Sequence, residues 1–394
     1  MKETYYEFSC SVKLIVGARA LENIPFELGA IGAKKPLLVT DRGVAAAGLV
    51  DTLREILSTG GLEIAAVYDE VPPDSSLTAV RAIAGIYRER GCDSLIALGG
   101  GSPIDTAKAA NILASYQTDD PVKYSGVGNL PRPLNPLLVI PTTAGTGSEV
   151  TYVSIVKDDE RGVKVPFASP FLMPHAAVLD PRMTLGLPAQ ITAATAMDAM
   201  THACEAFICL AKNPMSDAYA AAAVRAVSEN LLKVLDRPGD EQGRLALAQG
   251  AAMAGIAFSN SMVGLVHALG HSVGATCHLH HGTCMSILLP AVLEYNLETC
   301  RDSIGELLLP LAGADIYATT PAGERAEKAI ARLRWLKDEI HARCGLPRTL
   351  SETGKVEQSQ LEQIAEMSLD DGSIIFNPVE VDREEALAVL RKSW

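Results

Sequence analysis

The stretch "SLIALGGGSPIDTAK", residues 94–108, passes from an apolar, strand-like run through three glycines into the polar start of a helix. A strand, a glycine turn and a helix in succession make the βα turn of a parallel sheet. Gly99, Gly100 and Gly101, followed by Ser102, let the backbone come close to an anion that the helix N-terminus attracts, which is how such turns hold a pyrophosphate. Ser102 is expected at the N-cap, Pro103 at N1 and Asp105 at N3. The spacing departs from GxGxxG, because Ile104 stands where the last glycine belongs, and a tight turn capped only for stability is the alternative reading.

On either side the same alternation continues. Strand-like runs begin at 36 ("PLLVT"), 63 ("EIAAVYDEV"), 136 ("PLLVIPTT") and 176 ("AAVLD"). Helical patterns lie between them at 45–60 ("AAAGLVDTLREILSTG") and 76–91 ("SLTAVRAIAGIYRERG"), each ending at a glycine suited to a helix C-cap. A second turn, "LLVIPTTAGTGSEVT", runs from a strand into Thr142, Thr143, Gly145, Thr146, Gly147 and Ser148, a set of hydroxyls and flexible backbone. Two such turns at the ends of parallel strands form a crevice for a dinucleotide. Asp41, leaving the strand in "KPLLVTDRG", can accept hydrogen bonds from ribose hydroxyls and would repel a 2′-phosphate; a capping or turn Asp is the other reading. Residues 1–186 therefore read as an α/β dinucleotide-binding domain with a doubly wound, Rossmann-like parallel sheet.

After "TLGLP" at 184–188 the strand runs stop. Ala/Leu-rich periodic segments such as "SDAYAAAAVRAVSENLLKVL" (216–235) and "ERAEKAIARLRWLKDEIHAR" (324–343) make 187–394 an all-helical domain, with "AGADIYATTPAG" (312–323) expected as a loop. A chain of 394 residues suits two domains, and 48% apolar with 21% charged residues is a globular balance.

The 34 basic against 47 acidic residues, a net charge of -13, leave no basic cluster for a nucleic-acid backbone. No apolar run reaches transmembrane length, and "MKETYYEFSC" lacks the basic and apolar regions of a signal peptide, so no membrane partner and a cytoplasmic location are expected. The eight cysteines include no CxxC pair and read as reduced thiols.

Six of the eight histidines fall between 202 and 281. In "TAMDAMTHACEAF" (195–207) Asp198 and His202 stand four apart on one helical face, where they either hydrogen-bond or grip one ion. In "VGLVHALGHSVGATCHLHHGTCM" (263–285) His267 and His271 repeat that spacing, and His281 follows fourteen residues after His267. One carboxylate with several imidazoles suits Fe2+, Zn2+ or a neighbouring divalent metal. His175 and His341 lie outside the cluster and read as ordinary packed histidines.

"GGGSPIDTAK", "PTTAGTGSEVT", "AMDAMTHACEAF" and "GLVHALGHSVGATCHLHHG" resemble, in order and spacing, the signatures of the iron-dependent (group III) alcohol dehydrogenases, and the likeness extends to "FNP" at 376–378. The resemblance implies the dehydroquinate synthase-like fold of that family, with an active site in the cleft between the two domains. It implies Asp198, His202, His267 and His281 as iron ligands, His271 as a proton relay or substrate contact, and Phe258 as a wall of the substrate pocket. Asp41, Gly99, Gly100, Gly101, Ser102, Thr142, Thr143, Thr146 and Lys164 would line the NAD(H) site. Two departures stand out: Val379 in "NPVE", where the family often has "NPR", and His278 and His280 beside His281, which we expect at the surface.

The resulting expectation is hydride transfer between NAD(H) and a small primary alcohol or aldehyde, or a short diol or hydroxyaldehyde, by a homo-oligomer that is a dimer or larger. A divalent metal would polarise the substrate oxygen, and the nicotinamide would carry the hydride. Alternatives of similar architecture are a Zn2+ glycerol-dehydrogenase-type enzyme and a dehydroquinate-synthase-like lyase, both with three protein ligands; His202 as a fourth favours the iron group. A non-catalytic dinucleotide-binding regulator is the alternative from another class, and intact ligands, glycine turns and relay histidine speak against it.

Overall fold

The apolar runs around the first glycine turn become the inner strands of one sheet in the computed structural model, which describes residues 5–394. The chain forms β1 (Lys13–Val16), β2 (Pro36–Val39), β3 (Ala66–Tyr68), β4 (Ser94–Gly99), β5 (Gly126–Val127), β6 (Leu137–Pro141), β7 (Val153–Asp158), β8 (Val163–Ala168) and β9 (Ala176–Leu179). Six of them are parallel neighbours in the order β1-β9-β6-β4-β2-β3. Side chains alternate across the sheet: Leu37, Val39, Leu95, Ala97, Leu137 and Val139 enter one core, and Leu38, Ile96, Leu98, Leu138 and Ile140 the other. Both faces are covered, and this is why these strands are continuously apolar rather than alternating. Helix α1 (Leu49–Thr59) packs on the second face, while α2 (Leu77–Glu89) and α3 (Gly101–Tyr116) pack on the first.

The connection from β2 leads out to the edge strand β3, and the next crosses back over β2 to β4, after which β6 and β9 follow in the other direction. The order thus reverses between β2 and β4, where an open α/β sheet presents a crevice at its carboxyl ends. Asp41 leaves β2, Gly99 to Ser102 leave β4, and Thr142 to Thr146 leave β6, so three adjacent strand ends carry the predicted dinucleotide residues other than Lys164, which lies on β8.

Several local expectations need correction. The predicted 45–60 helix is divided by Gly48, whose φ of 77° ends a short Arg42–Ala46 turn before α1 begins. Helix α3 starts earlier than its capping residues suggested: Gly100 is the N-cap, so Ser102, Pro103 and Asp105 lie at N2, N3 and N5. Proline is tolerated there because the first-turn N–H groups have no intrahelical acceptor. The Ser102 hydroxyl instead donates to the Pro73 carbonyl, and Asp105 Oδ2 accepts from Ile155 N at 3.1 Å. A second sheet was not foreseen. In it β7 and β8 form an antiparallel hairpin and β5 adds in parallel, giving the order β5-β8-β7. The half-exposed β7 and the Pro166-bearing β8 have little of the continuous apolar signal of the large sheet.

This hairpin is tied to α3 by Lys108, which is fully buried. Its ammonium donates to Thr151 O at 2.8 Å, Val153 O at 2.9 Å and Thr151 Oγ1 at 3.1 Å, using all three protons. Burial lowers the ammonium to about 8, against the pull of the Asp105 and Glu149 carboxylates. Lys108→Met would leave the buried Thr151 carbonyl and the part-buried Val153 carbonyl without this donor and would remove a cation that acts on Asp105 and Glu149. Each buried acceptor left unsatisfied costs about 1–3 kcal/mol. We expect thermal unfolding of the variant on the order of 10 °C lower, read by calorimetry; an unchanged midpoint would show that the strut is dispensable.

The second unit comprises Pro188–Trp394 together with residues 5–9. Within it Ser9 N donates to Asn260 Oδ1 at 2.7 Å. Its long helices include α4 (Ala189–Ile208), α5 (Pro214–Asp236), α6 (Glu241–Ser259), α7 (Leu265–Cys277), α8 (His281–Tyr295) and α9 (Arg325–Cys344). Helix α4 is buried on every side from Thr192 to Ile208, as its Ala/Met-rich composition requires of a central helix. Asn213 opens α5 with a capping box to Ser216, with Pro214 in the first turn. The 312–323 segment is not all loop: Gly313, at φ 90°, breaks one helix, and Ala314–Thr319 forms another, with Thr319 Oγ1 bonded to Asp315 O. Among the described residues no helix is long and apolar enough to cross a membrane, and all eight cysteines are free thiols.

Candidate metal centre and dinucleotide turns

Asp198, His202 and Glu205 follow one another at i, i+4 and i+7 along α4, on a single buried face. His267 and His271 repeat the one-turn spacing on α7, and His281 is the first residue of α8. The approach of α8 depends on Gly282, where a Cβ would collide with the Ala194 carbonyl of α4, so His281 is held beside the helix that carries Asp198.

Ligand atoms of Asp198, His267 and His281 all lie within 4.8 Å of one another. His281 Nε2 is 3.3 Å and His267 Nε2 4.0 Å from Asp198 Oδ1. His202 stands alongside, its Nδ1 3.8 Å from the same oxygen and its ring stacked between His267 and Phe258 at centroid distances of 4.5 and 4.3 Å. Asp198 Oδ1, His202 Nδ1 and His267 Nε2 are buried without hydrogen-bond partners. Each such atom costs about 1–3 kcal/mol in a folded protein; Asp198 and His267, whose ligand atoms stand together with that of His281, fit a cation that would satisfy them together, and His202 lies beside that set of three rather than within it. Burial lowers the His202 imidazole to about 3 and takes His267 well below its usual value. Burial acts to raise Asp198, but the facing imidazoles hold it below the carboxylate range. A neutral imidazole at His202 and His267 and an ionised carboxylate at Asp198 are the forms in which these groups ligate a metal.

His271 is brought to the rim of this cluster, its ring centroid 5.3 Å from that of His281 and 5.7 Å from that of His267. Its Nδ1 pairs with Asp371 Oδ2 at 2.8 Å. Burial acts to raise the Asp371 carboxyl, but the bond and charge of His271 together with Ser373 hold it well below its usual value. Sequence reading missed both carboxylates that support the histidines. Glu205, bonded to His267 Nδ1, was detectable as the i+7 member of the Asp198/His202 face. Asp371 was not, being one hundred residues from its partner.

His278 and His280 are exposed, as expected, His278 as the left-handed C-cap of α7 at φ 50°. His175 and His341 have local partners, Leu137 N at 3.3 Å and Leu346 O at 2.9 Å. In the corner of the "FNP" motif, buried Asn377 bonds Asn296 in both directions at 3.0 Å, accepts from Leu265 N at 3.3 Å and donates to the Val379 carbonyl at 2.8 Å. Its task is to brace the start of α7, and Val379 contributes a backbone oxygen.

In the α/β unit the two glycine turns pack against each other. A Cβ at Gly100 would lie 3.2 Å from Thr143 Oγ1, and one at Gly101 would lie 2.9 Å from Thr146 Cγ2. Gly99 takes φ 158° at the end of β4, and its carbonyl accepts from Thr142 N at 3.0 Å. Asp41 is an N-cap, its Oδ1 accepting from Val44 N at 2.9 Å, so the capping reading holds; a ribose role would fall to it in addition. Lys164 is exposed on β8 opposite Lys157.

A parallel-sheet unit with two glycine turns and a helical unit with an Asp/His cluster are what a metal-dependent alcohol oxidoreductase requires, and comparison with known proteins assigns the chain to that class. The iron-containing alcohol dehydrogenase model matches residues 11–181, and the C-terminal model of the Fe-containing alcohol dehydrogenase family matches 192–394. The chain belongs to this family and is an iron-containing alcohol dehydrogenase. It is 36% identical over 380 residues to 1,3-propanediol dehydrogenase of Klebsiella pneumoniae, covering 96% of each chain. It is 34% identical over 366 residues to the NAD-dependent methanol dehydrogenase of Bacillus methanolicus, covering 92% of this chain and 93% of that one. The crystal structure of a 1,3-propanediol oxidoreductase superposes with a TM-score of 0.94 at 34% identity, over 99% of this chain and 100% of that chain.

Proposed function

We propose that the protein transfers hydride between NAD(H) and a small, neutral primary alcohol or aldehyde, short diols and hydroxyaldehydes included. Asp198, His202, His267 and His281 would hold Fe2+, with Zn2+ as a competitor for the same donors. The observation that carries this reading is the gathering of Asp198, His267 and His281 ligand atoms within 4.8 Å of one another, with Asp198 Oδ1 and His267 Nε2 buried and without hydrogen-bond partners. When bound, the ion supplies Lewis acidity to the substrate oxygen, and the nicotinamide supplies or accepts the hydride. Asp371 orients His271 through Nδ1, and proton exchange with the substrate oxygen is assigned to Nε2. Phe258, stacked on His202, offers an apolar wall to a short carbon chain. Gly99 to Ser102 and Thr142, Thr143 and Thr146 take the pyrophosphate, with Lys164 as a cation for the cofactor and Asp41 for its ribose. Residues 1–186 thus serve the dinucleotide and 187–394 the metal and the chemistry. The named activity of the methanol dehydrogenase relative supports the choice of NAD.

Free thiols suit a cytoplasmic enzyme. The sheet-edge strand β1, with exposed Leu14 and Val16, suits a homo-oligomer, which sedimentation would test. The function itself is tested by NADH oxidation with a panel of short aldehydes on anaerobically iron-loaded protein; no turnover on any of them would overturn it. The same assay reads Asp41. Glycine at an N-cap costs only a few tenths of a kcal/mol, so Asp41→Gly should fold. Without the carboxylate, the preference for NADH over NADPH should relax, and an unchanged ratio of kcat/KM values would remove Asp41 from cofactor selection.

A further inference from the structure

We infer that Glu205 is a positioning residue of the metal centre, fixing the ring and tautomer of His267 that an ion requires; this rests on the metal reading above. Glu205 is 1% exposed and lies on α4, the helix that also carries Asp198 and His202. One carboxylate oxygen pairs with His267 Nδ1, and the other accepts from Val266 N at 2.7 Å. Val266 and His267 are the second and third residues of α7, whose N-cap, Gly264, offers no side chain. Glu205 therefore caps α7 from a neighbouring helix, taking an N–H that has no intrahelical acceptor and placing negative charge at the positive end of the dipole.

The same contact sets the chemistry of the ring. A carboxylate at Nδ1 accepts the ring proton, which leaves the Nε2 lone pair directed towards Asp198, where Nε2 is buried without a hydrogen-bond partner. A carboxylate behind an imidazole ligand also raises its basicity and holds its plane. Ligand and support thus come from two rigid helices joined at one side chain.

Glu205→Gln tests this without changing shape. If the Gln oxygen stays on Val266 N–H, its NH2 faces His267 Nδ1, and the ring must carry its proton on Nε2, where the ion belongs. If the amide turns over, its NH2 opposes Val266 N–H. Zn2+ affinity of the metal-free protein, measured by competition with a chromophoric chelator, should fall about 10–100-fold, and the absorption band of the Co2+-loaded variant should shift. Circular dichroism and melting of the metal-free protein report the fold separately. A folded variant with wild-type Zn2+ affinity and an unshifted Co2+ band would reduce Glu205 to a helix cap and overturn the inference. Should the Gln variant not fold, Glu205→Asp keeps the charge but withdraws it from Nδ1. Its Zn2+ affinity should fall as well, and unchanged affinity there overturns the inference equally. Wild-type protein that takes up neither ion would instead overturn the parent reading.

Discussion

His281→Ala purified beside wild type should come away nearly free of divalent metal by elemental analysis, while His278→Ala keeps its full complement. The two histidines stand three positions apart in one short stretch, yet only one meets the cluster. His281 opens α8 with Nε2 3.3 Å from Asp198 Oδ1, whereas His278 caps α7 in the left-handed region and is exposed. Removing a residue that merely supports a ligand weakens metal binding about 10–100-fold, so removing a ligand should cost at least that much. The His281 side chain is 38% exposed, so its truncation leaves no large cavity and the fold should persist. Equal loss in both variants, or loss only in His278→Ala, would mean that the third imidazole has been misassigned.

His271→Ala should keep its metal and still bind NADH, yet lose turnover. His271 lies one helical turn beyond His267, and its Nδ1 is taken by Asp371 Oδ2 at 2.8 Å, the arrangement of an oriented acid–base group. Such groups contribute about 10²–10⁴-fold, so kcat should drop within that range unless water replaces the imidazole. The limb of the kcat/KM profile that reports ionisation of the relay should flatten in the variant. Loss of metal would make His271 a ligand, and full activity with an unchanged pH profile would make it a bystander.

Which parts were legible in the sequence follows from how local each signal is. β4, its glycine turn and α3 were readable because a buried parallel strand is continuously apolar and the glycines interrupt it sharply. The register of the turn was not: Ser102 has the chemistry of an N-cap, but the bend at Gly99 and Gly100 starts the helix before it. The β7–β8 hairpin escaped because its half-exposed strands borrow their stability from α3 through Lys108, a contact that no periodicity reveals. In the metal cluster, Asp198/His202 and His267/His271 were visible as one-turn pairs. Glu205 was visible in principle from the same face but looked like one more polar residue in an Ala-rich helix.

By itself, then, the order of residues determined a βα-repeating first part, a helical second part and the residue types able to bind an ion, since these rest on backbone preference and side-chain periodicity within one element. The tertiary structure alone decided that α4, α7 and α8 converge on Asp198, that Gly282 admits α8 against the Ala194 carbonyl, and that Glu205 and Asp371 stand behind His267 and His271. Those pairings join residues 62 and 100 positions apart, and distance along a chain carries no information about which buried polar groups will be left to satisfy each other once the core has closed.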